Sequence, residues 1–476
     1  MIFKQQKYLY QKKNMTFKNN LKNKIILYIL NNKDKIKINS ASVERGDIFV
    51  CLKGEKTHGN NYIKEAIKKG SKYIITDNKF NIPTNKKNIL MVKNSLDFLL
   101  KIANEKRKIY KGKIIGITGS VGKTTLKESL KFFLAKVCDV SASIKSYNNY
   151  LGVLISLLNI NIKSDYALFE IGTNNFNEIR LLTSIILPHQ TIITNISPTH
   201  LENFKNNRNI ALEKSDIFNK KYNPYVNFSL IPQFNKDELL LLEKAKNNDI
   251  NDIITFGENK FSNYYVTKKL DKNNLKISII SKKEKYIFET KYIQYHQIVN
   301  IMICLIIFKY NKINLDKFFK QIKKIPKVEG RGLVNKIMIS NKKINLIDES
   351  YNASPLSMKN CIEYFDETRI PKNNKKFLIL GDMNELGNQA IKFHKILINQ
   401  IKKTKIDFII LCGECFKTVL KKNDINKNIM LISDHNKIYE FLSNNVHNND
   451  TILVKCSNST KINKFAQMLL MNKRKV

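Results

Sequence analysis

Lys113-Ile-Ile-Gly-Ile-Thr-Gly-Ser-Val-Gly-Lys-Thr-Thr125 is the stretch on which the reading of this chain turns. The apolar run Lys113 to Ile117 has the length and composition of a buried strand. A glycine loop follows, Gly119-Ser120-Val121-Gly122, and then Lys123, Thr124 and Thr125. Beyond them apolar residues recur at Leu126, Leu130, Phe133, Leu134 and Val137, the spacing of an amphipathic helix. Strand, loop and helix in that order make a phosphate cradle. Glycines let backbone N–H groups close around phosphate oxygens, the helix N-terminus adds positive potential, Lys123 reaches the terminal phosphates, and Thr124 can hold Mg²⁺. The first glycine of the general motif would fall on Ile117, so the loop is the shorter T-G-x-x-G-K-T form. ATP is the ligand this element predicts.

Outward from the loop the chain divides. With 476 residues, about three domains are expected at roughly 150 residues each. Residues 1–35 form a lysine-rich lead-in, and Met15 stands as an alternative start. Residues 36–110 mix short strands (Asp47 to Leu52, Tyr73 to Thr76) with helical stretches, as in a small α/β unit. Residues 111–327 alternate apolar runs with helical patterns, the sign of parallel α/β layers. The stretch 233–291 is the most polar part and carries the least structural signal. From 328 to 476, INLID, KFLILGD, FIILCGE and TILVK read as strands ending in polar or glycine residues, where a doubly wound sheet opens its ligand crevice. The fold class is α/β throughout.

Hydrophobic residues are 43% of the chain, enough for real cores, while 83 Lys+Arg against 40 Asp+Glu give a net charge of +43. Such charge would suit a polyanion, but the lysines are scattered among Asn and Ile, as in NNKDKIKIN (31–39), rather than gathered in a stripe. Base bias of the genome accounts for that pattern, and no specific nucleic-acid partner is expected. The longest apolar run, Ile301 to Phe308, is too short to span a membrane, and the first residues lack a signal-peptide core, so a cytoplasmic, uninserted protein is expected. The 7 cysteines describe no disulfide framework. Cys412-x-x-Cys415 has no second pair, and Cys412 closes a strand-like run.

Downstream of the loop, Tyr166 to Phe169 ends in Glu170, and a carboxylate at a strand end facing a phosphate loop is a natural Mg²⁺ ligand. TIITNIS (191–197) leads to His200, and a lone histidine is more often structural than a ligand. Ala211 to Phe218, with Lys214, reads equally as a solvated helix face.

In this order the pieces resemble the Mur ligase family: T-G-S-V-G-K-T-T (118–125), Tyr147-Asn148-Asn149 with Gly152, Glu170-Ile-Gly172-Thr-Asn174, Thr194-Asn195 through His200 and Glu202, and Ala211 to Phe218. The resemblance runs from about residue 36 to near the end. It implies a uridine-nucleotide-binding first domain, a central P-loop ATPase-type domain and a Rossmann-like C-terminal domain. It also implies Mg²⁺ on Thr124, Glu170, His200 and Lys214, the last as a carbamate. His296 and Asn300 match H-x-x-x-N, with Asn300 at the nucleotide, and Gly330-Arg331-Gly332 matches the turn whose arginine meets the ATP phosphates after closure. Asp348 would join the nucleotide set, and Lys123, Lys214, His200 and Arg331 the catalytic one. Ser40, Lys53, Asn148, Asn149, Tyr351 and Asn352 would contact substrate.

Asp348-Glu-Ser-Tyr-Asn-Ala-Ser-Pro355-x-Ser-Met358 and Gly381-Asp-Met-x-Glu-Leu-Gly387 with His394 are similar to the branch that adds D-alanyl-D-alanine to a UDP-muramyl tripeptide. So is Arg45-Gly-Asp-Ile-Phe-Val-x-Leu-Lys-Gly54 in the first block. The implied enzyme is an ATP-dependent amide ligase of cell-wall synthesis that works through an acyl phosphate, as a monomer. Three positions depart from the pattern. D-S-R reads Asn39-Ser40-Ala41, D-G-H reads His58-Gly59-Asn60, and K-G-S-R reads Lys455-Cys456-Ser457-Asn458. The competing readings are another amide ligase of the superfamily (third-residue muramyl or folylpolyglutamate), a decayed homologue, and a nucleic-acid-dependent ATPase.

Overall fold

The computed structural model describes residues 20–471 apart from 56, 85–86, 272–273, 292, 422–423 and 425–427. Met15 and most of the lysine-rich lead-in lie outside the described residues.

Three sheets organise the chain. The first holds β1 (Ile36–Lys37), β2 (Ile48–Val50), β3 (Tyr73–Thr76) and β4 (Ile89–Met91), all parallel and in sequence order. The central one holds β5 (Lys113–Thr118), β6 (Val140–Ala142), β7 (Tyr166–Glu170), β8 (Gln190–Ile193), β9 (Phe228–Gln233), β10 (Asp252–Gly257), β11 (Tyr264–Asp271), β12 (Asn274–Ser281) and β13 (Lys285–Lys291). Their order is β13-β12-β11-β10-β9-β8-β5-β7-β6. The third holds β14 (Leu333–Ile339), β15 (Lys342–Glu349), β16 (Lys376–Gly381), β17 (Phe408–Cys412), β18 (Ile429–Leu431) and β19 (Thr451–Lys455), ordered β14-β15-β19-β16-β17-β18. Only β14 is antiparallel there.

In the central sheet the winding reverses about β5: β6 and β7 lie on one side, β8, β9 and β10 on the other. That reversal opens a crevice at the carboxyl ends of β5, β7 and β8, where α/β sheets hold ligands. β5 and β7 are buried because both faces are covered, which is why they read as near-continuous apolar runs. The helix Tyr295–Tyr310, with its wholly buried Ile301 to Phe308, packs with Phe133 and Phe318 against the sheet. No helix among the described residues is long and apolar enough to cross a membrane.

Two expectations need correcting. The helix Leu21–Asn31 lies inside the expected lead-in, yet Ile25, Ile29 and Leu30 are buried in the core of the first unit. Lysines and asparagines on its outer face hide the apolar spacing. The uninformative stretch 233–291 contains four strands, of which β11, β12 and β13 form an antiparallel meander. β12 alternates buried Leu275, Ile277 and Ile279 with exposed Asn274 and Lys276, while the adjacent Lys268-Lys269 of β11 interrupts the same alternation in its neighbour.

The first and central units are stapled together. Lys106 donates to the carbonyls of Ile29, Asn32 and Leu158, Arg107 to those of Ile186 and Leu187, and the Asn159 amide pairs with both backbone groups of Ile36.

Candidate active site

The phosphate loop has the expected shape. Gly119 takes φ +142°, and a Cβ there would lie 1.9 Å from Thr194 Oγ1, so only glycine fits. Gly122, at φ +88°, starts the helix Lys123–Leu134. The end of β8 holds the loop from outside. Val121 N–H donates to Asn195 Oδ1 at 3.2 Å, Val121 O accepts from Thr194 Oγ1 at 2.6 Å and Asn195 Nδ2 at 3.0 Å, and Ser120 N–H donates to Asn195 O at 3.0 Å. Ser120 Oγ donates to Ser197 O, and Thr125 Oγ1 to Gly122 O. Lys123 folds back on its own loop, its Nζ 2.8 Å from Gly119 O.

Glu170 stands at the end of β7, only 1% exposed. Its Oε2 accepts from Thr124 Oγ1 at 2.6 Å and its Oε1 from Asn148 Nδ2 at 2.7 Å. One carboxylate thus gathers the loop threonine and the Asn148 segment. Lys214, 2% exposed, is on the helix Asn207–Ser215, so the solvated-face reading fails there. Burial, with Lys123 nearby adding repulsion, holds its ammonium well below the ordinary lysine range. Glu213 beside it accepts from the N–H groups of Asn177 and Ile179, fixing the loop after β7.

The third unit supplies the opposite wall. The Arg331 guanidinium lies 4.2 Å from the Tyr351 ring centre, and the Tyr351 hydroxyl bonds Ser146 Oγ across the cleft. Asp348, 1% exposed, accepts from Ser350 N and Oγ on Oδ1, while its Oδ2 has no partner. A buried carboxylate oxygen left in this state marks a place built for a donor. Glu349 accepts from Gln294 Nε2 at 2.8 Å and pairs with Lys455 at 3.4 Å. Asn300 is buried one turn beyond His296, whose protonation burial disfavours. His200 pairs through Nδ1 with Glu385 at 2.7 Å.

Not every expected substrate residue is free. The Asn149 side chain caps the helix Tyr150–Asn159 by accepting from Gly152 N, which uses its oxygen. Asn352 Oδ1 accepts from Ala353 N. Ser40 is buried and donates to Glu65, and Lys53 is exposed; both belong to the first unit and touch none of the phosphate-loop residues in any described bond. At the departures from the family pattern, Asn60 is a buried tie that donates to Asn78 O and Phe80 O and accepts from Thr76 Oγ1. Ala41 and Asn458 are exposed. Lys127, missed in the sequence, is fully buried one turn after Lys123 and donates to Ser143 O and Lys145 O, fastening the segment that carries Asn148. A lysine at that helical position looks solvated until the neighbouring loop is seen. All 7 cysteines are free. Asp382, His394 and Cys415 come close enough to suggest a metal site. They form a closed network instead: His394 Nε2 accepts from Met383 N, Nδ1 donates to Ala390 O, and Asp382 accepts from the N–H groups of Cys415 and Phe416.

Comparison with known proteins gives the class. Residues 34–107 match the model described as Mur ligase family, catalytic domain; residues 117–308 match Mur ligase middle domain; residues 336–458 match Mur ligase, glutamate ligase domain. The chain belongs to the Mur ligase family. Within it, similarity runs to UDP-N-acetylmuramoyl-tripeptide–D-alanyl-D-alanine ligases, the MurF enzymes. The one from Rickettsia prowazekii is 33% identical over 457 residues, covering 91% of this chain and 94% of that relative. The one from Buchnera aphidicola of Acyrthosiphon pisum is 29% identical over 452 residues, covering 93% and 94%. MurF ligase from Thermotoga maritima, solved in complex with ADP, matches with a TM-score of 0.74 at 25% identity over 94% of this chain and 99% of that one. MurF from Acinetobacter baumannii shares the fold, with a TM-score of 0.75 at 22% identity over 92% and 93%.

Proposed function

We propose that the chain joins D-alanyl-D-alanine to UDP-N-acetylmuramoyl-tripeptide at the expense of ATP, in peptidoglycan precursor synthesis. The observation that carries this reading is the buried Glu170 between Thr124 and Asn148 beside the phosphate loop, with Arg331 of the third unit brought close to Lys123. Thr124 and Glu170 offer the hard oxygen that Mg²⁺ prefers, and His200 is assigned to the same cation through its ring nitrogen. Lys214 fits beside a cation only without its charge, and its burial against Lys123 favours the neutral amine that carbamate formation requires. Mg²⁺ bound there offsets phosphate charge.

The chain's own groups then account for the chemistry. Lys123 leaves Gly119 O to reach the γ-phosphate, and the phosphate-loop N–H groups hold the oxygens. The tripeptide carboxylate attacks the γ-phosphorus and ADP leaves, giving an acyl phosphate. The dipeptide amine attacks its carbonyl carbon, the C–O bond to phosphate breaks, and the amine loses a proton. Arg331 stabilises the transferring group once the third unit closes, and Tyr351 and Asn352 border the acceptor. Asn300 and Asp348 hold the nucleotide, and Ser40 and Lys53 the uridine end. The working units are residues 36–110 together with the helix Leu21–Asn31, then 111–327 and 328–476, acting as a cytoplasmic monomer.

Likeness to a 2,6-diaminopimelate-adding ligase is weaker, with a TM-score of 0.51 at 13% identity, and Ser350-Tyr-Asn-Ala-Ser-Pro355 favours the dipeptide reading. Phosphate release from ATP by the purified chain, given UDP-muramyl tripeptide with and without D-alanyl-D-alanine, tests it. Release that needs both substrates and yields an amide is expected. Release stimulated by nucleic acid and indifferent to dipeptide would overturn the assignment, and no release would mark a decayed enzyme.

A further inference from the structure

His200 and Glu385 meet across the cleft between the central and third units, with Nδ1 2.7 Å from Oε2. Both residues have positive φ, +50° and +66°, a conformation that costs energy outside glycine and persists only where the surroundings enforce it. Here the surroundings are one clasp. Glu202 N–H approaches Glu385 O at 3.4 Å, and Gln389 Nε2 donates to Lys205 O at 3.1 Å. Gly387, at φ +53°, sits so close that an added Cβ would lie 3.1 Å from Glu202 Cα. Leu201 and Phe204 on one side and Leu386 on the other are buried. No hydrogen bond to His200 Nε2 is present among the described residues. An imidazole whose Nδ1–H is held by a carboxylate keeps the Nε2 lone pair for something else, the arrangement in which histidines serve metals.

We infer that Glu385 is a positioning residue, fixing the tautomer and ring orientation of His200 so that Nε2 is presented to the divalent cation. This rests on the assignment of His200 to the metal under the proposed function. Because Glu385 belongs to the third unit, His200 is fully set only in the closed molecule, and cation affinity and closure are linked. Opening the cleft withdraws the carboxylate and frees the ring.

Mn²⁺ titration followed by electron paramagnetic resonance, on the full chain with ADP, tests this in wild type, Glu385→Ala, Glu385→Asn, Glu385→Gln and His200→Ala. Asparagine tolerates positive φ but is too short to reach the ring, so it carries the test should Glu385→Ala fail to fold. Mn²⁺ affinity is expected to fall about tenfold or more in Glu385→Ala and Glu385→Asn, within the roughly 10- to 100-fold typical of such partners. Glu385→Gln, whose amide oxygen can still accept from Nδ1–H, should lose less. The Mg²⁺ concentration for half-maximal rate should rise in parallel, with KM for ATP at saturating Mg²⁺ unchanged. Affinity within twofold of wild type in the Ala and Asn variants, while His200→Ala loses it, would overturn the positioning role. Undiminished affinity in His200→Ala would overturn the metal assignment itself.

Discussion

Glu170 shows how much one side chain can organise when burial removes competing water. Its two oxygens accept from different segments, Thr124 of the loop helix and Asn148 ahead of the next helix, so the carboxylate sets their separation. His189, at the opposite end of the sheet, shows the reverse effect of burial. Its Nδ1 accepts from Ile114 N–H at 2.9 Å, and burial with Arg107 and Lys113 nearby pushes its pKa from 6.5 down to about 4. Between those values the unfolded chain binds a proton the folded chain refuses. Stability is therefore full above pH 6.5 and falls as pH drops toward 4. At 1.36 kcal/mol per pKa unit, discounted for partial exposure, the loss is about 2 kcal/mol. His189→Asn, whose amide oxygen can replace Nδ1, should flatten the decline in urea unfolding between pH 7 and 5. An unchanged decline would assign it to other groups.

At the scale of elements, the phosphate loop is held by the strand end beside it as much as by its own glycines. Asn195 supplies both an acceptor and a donor to Val121. Asn195→Ala should raise KM for ATP about tenfold, the equivalent of roughly 1.4 kcal/mol for a lost buried hydrogen bond, with little change in the urea midpoint. A large fall in stability with KM unchanged would show that Asn195 serves the fold alone. The loop, β5, β7 and the helix Lys123–Leu134 were legible because buried parallel strands and amphipathic helices leave strong periodic signals. The meander β11–β13 and the helix Leu21–Asn31 were not. In the helix Lys22, Asn23 and Lys24 mask the apolar spacing, and in the meander the adjacent Lys268-Lys269 of β11 interrupts the alternation.

Across the whole molecule the joints differ in kind. The first and central units share buried charged donors, whereas the third unit meets the central one at the cleft through polar pairs such as Ser146–Tyr351, Gln294–Glu349 and His200–Glu385. The first joint is built to stay and the second surrounds the reacting groups, as closure in a ligase requires. Lys106 tests the first joint. Burial lowers its pKa to about 7, yet it satisfies three carbonyls from two segments, the end of the helix Leu21–Asn31 and Leu158. Lys106→Met would leave those carbonyls without a donor and should cost about 2–3 kcal/mol by urea unfolding, with the rate per folded molecule retained. An unchanged midpoint would show that the lysine contributes nothing net.

The sequence by itself determined the α/β class, the phosphate loop and the order of the family's motifs, because these depend on local periodicity and on residue types at fixed spacing. Tertiary structure alone decided which polar groups are free to act. It spent the Asn149 oxygen on a helix cap, buried Lys214 and Lys127, left Asp348 Oδ2 without a partner, and set Glu385 against His200 across 185 positions of chain. Burial and partnership are properties of the packed molecule, and no spacing along one chain encodes which distant group will take up a side chain's last hydrogen bond.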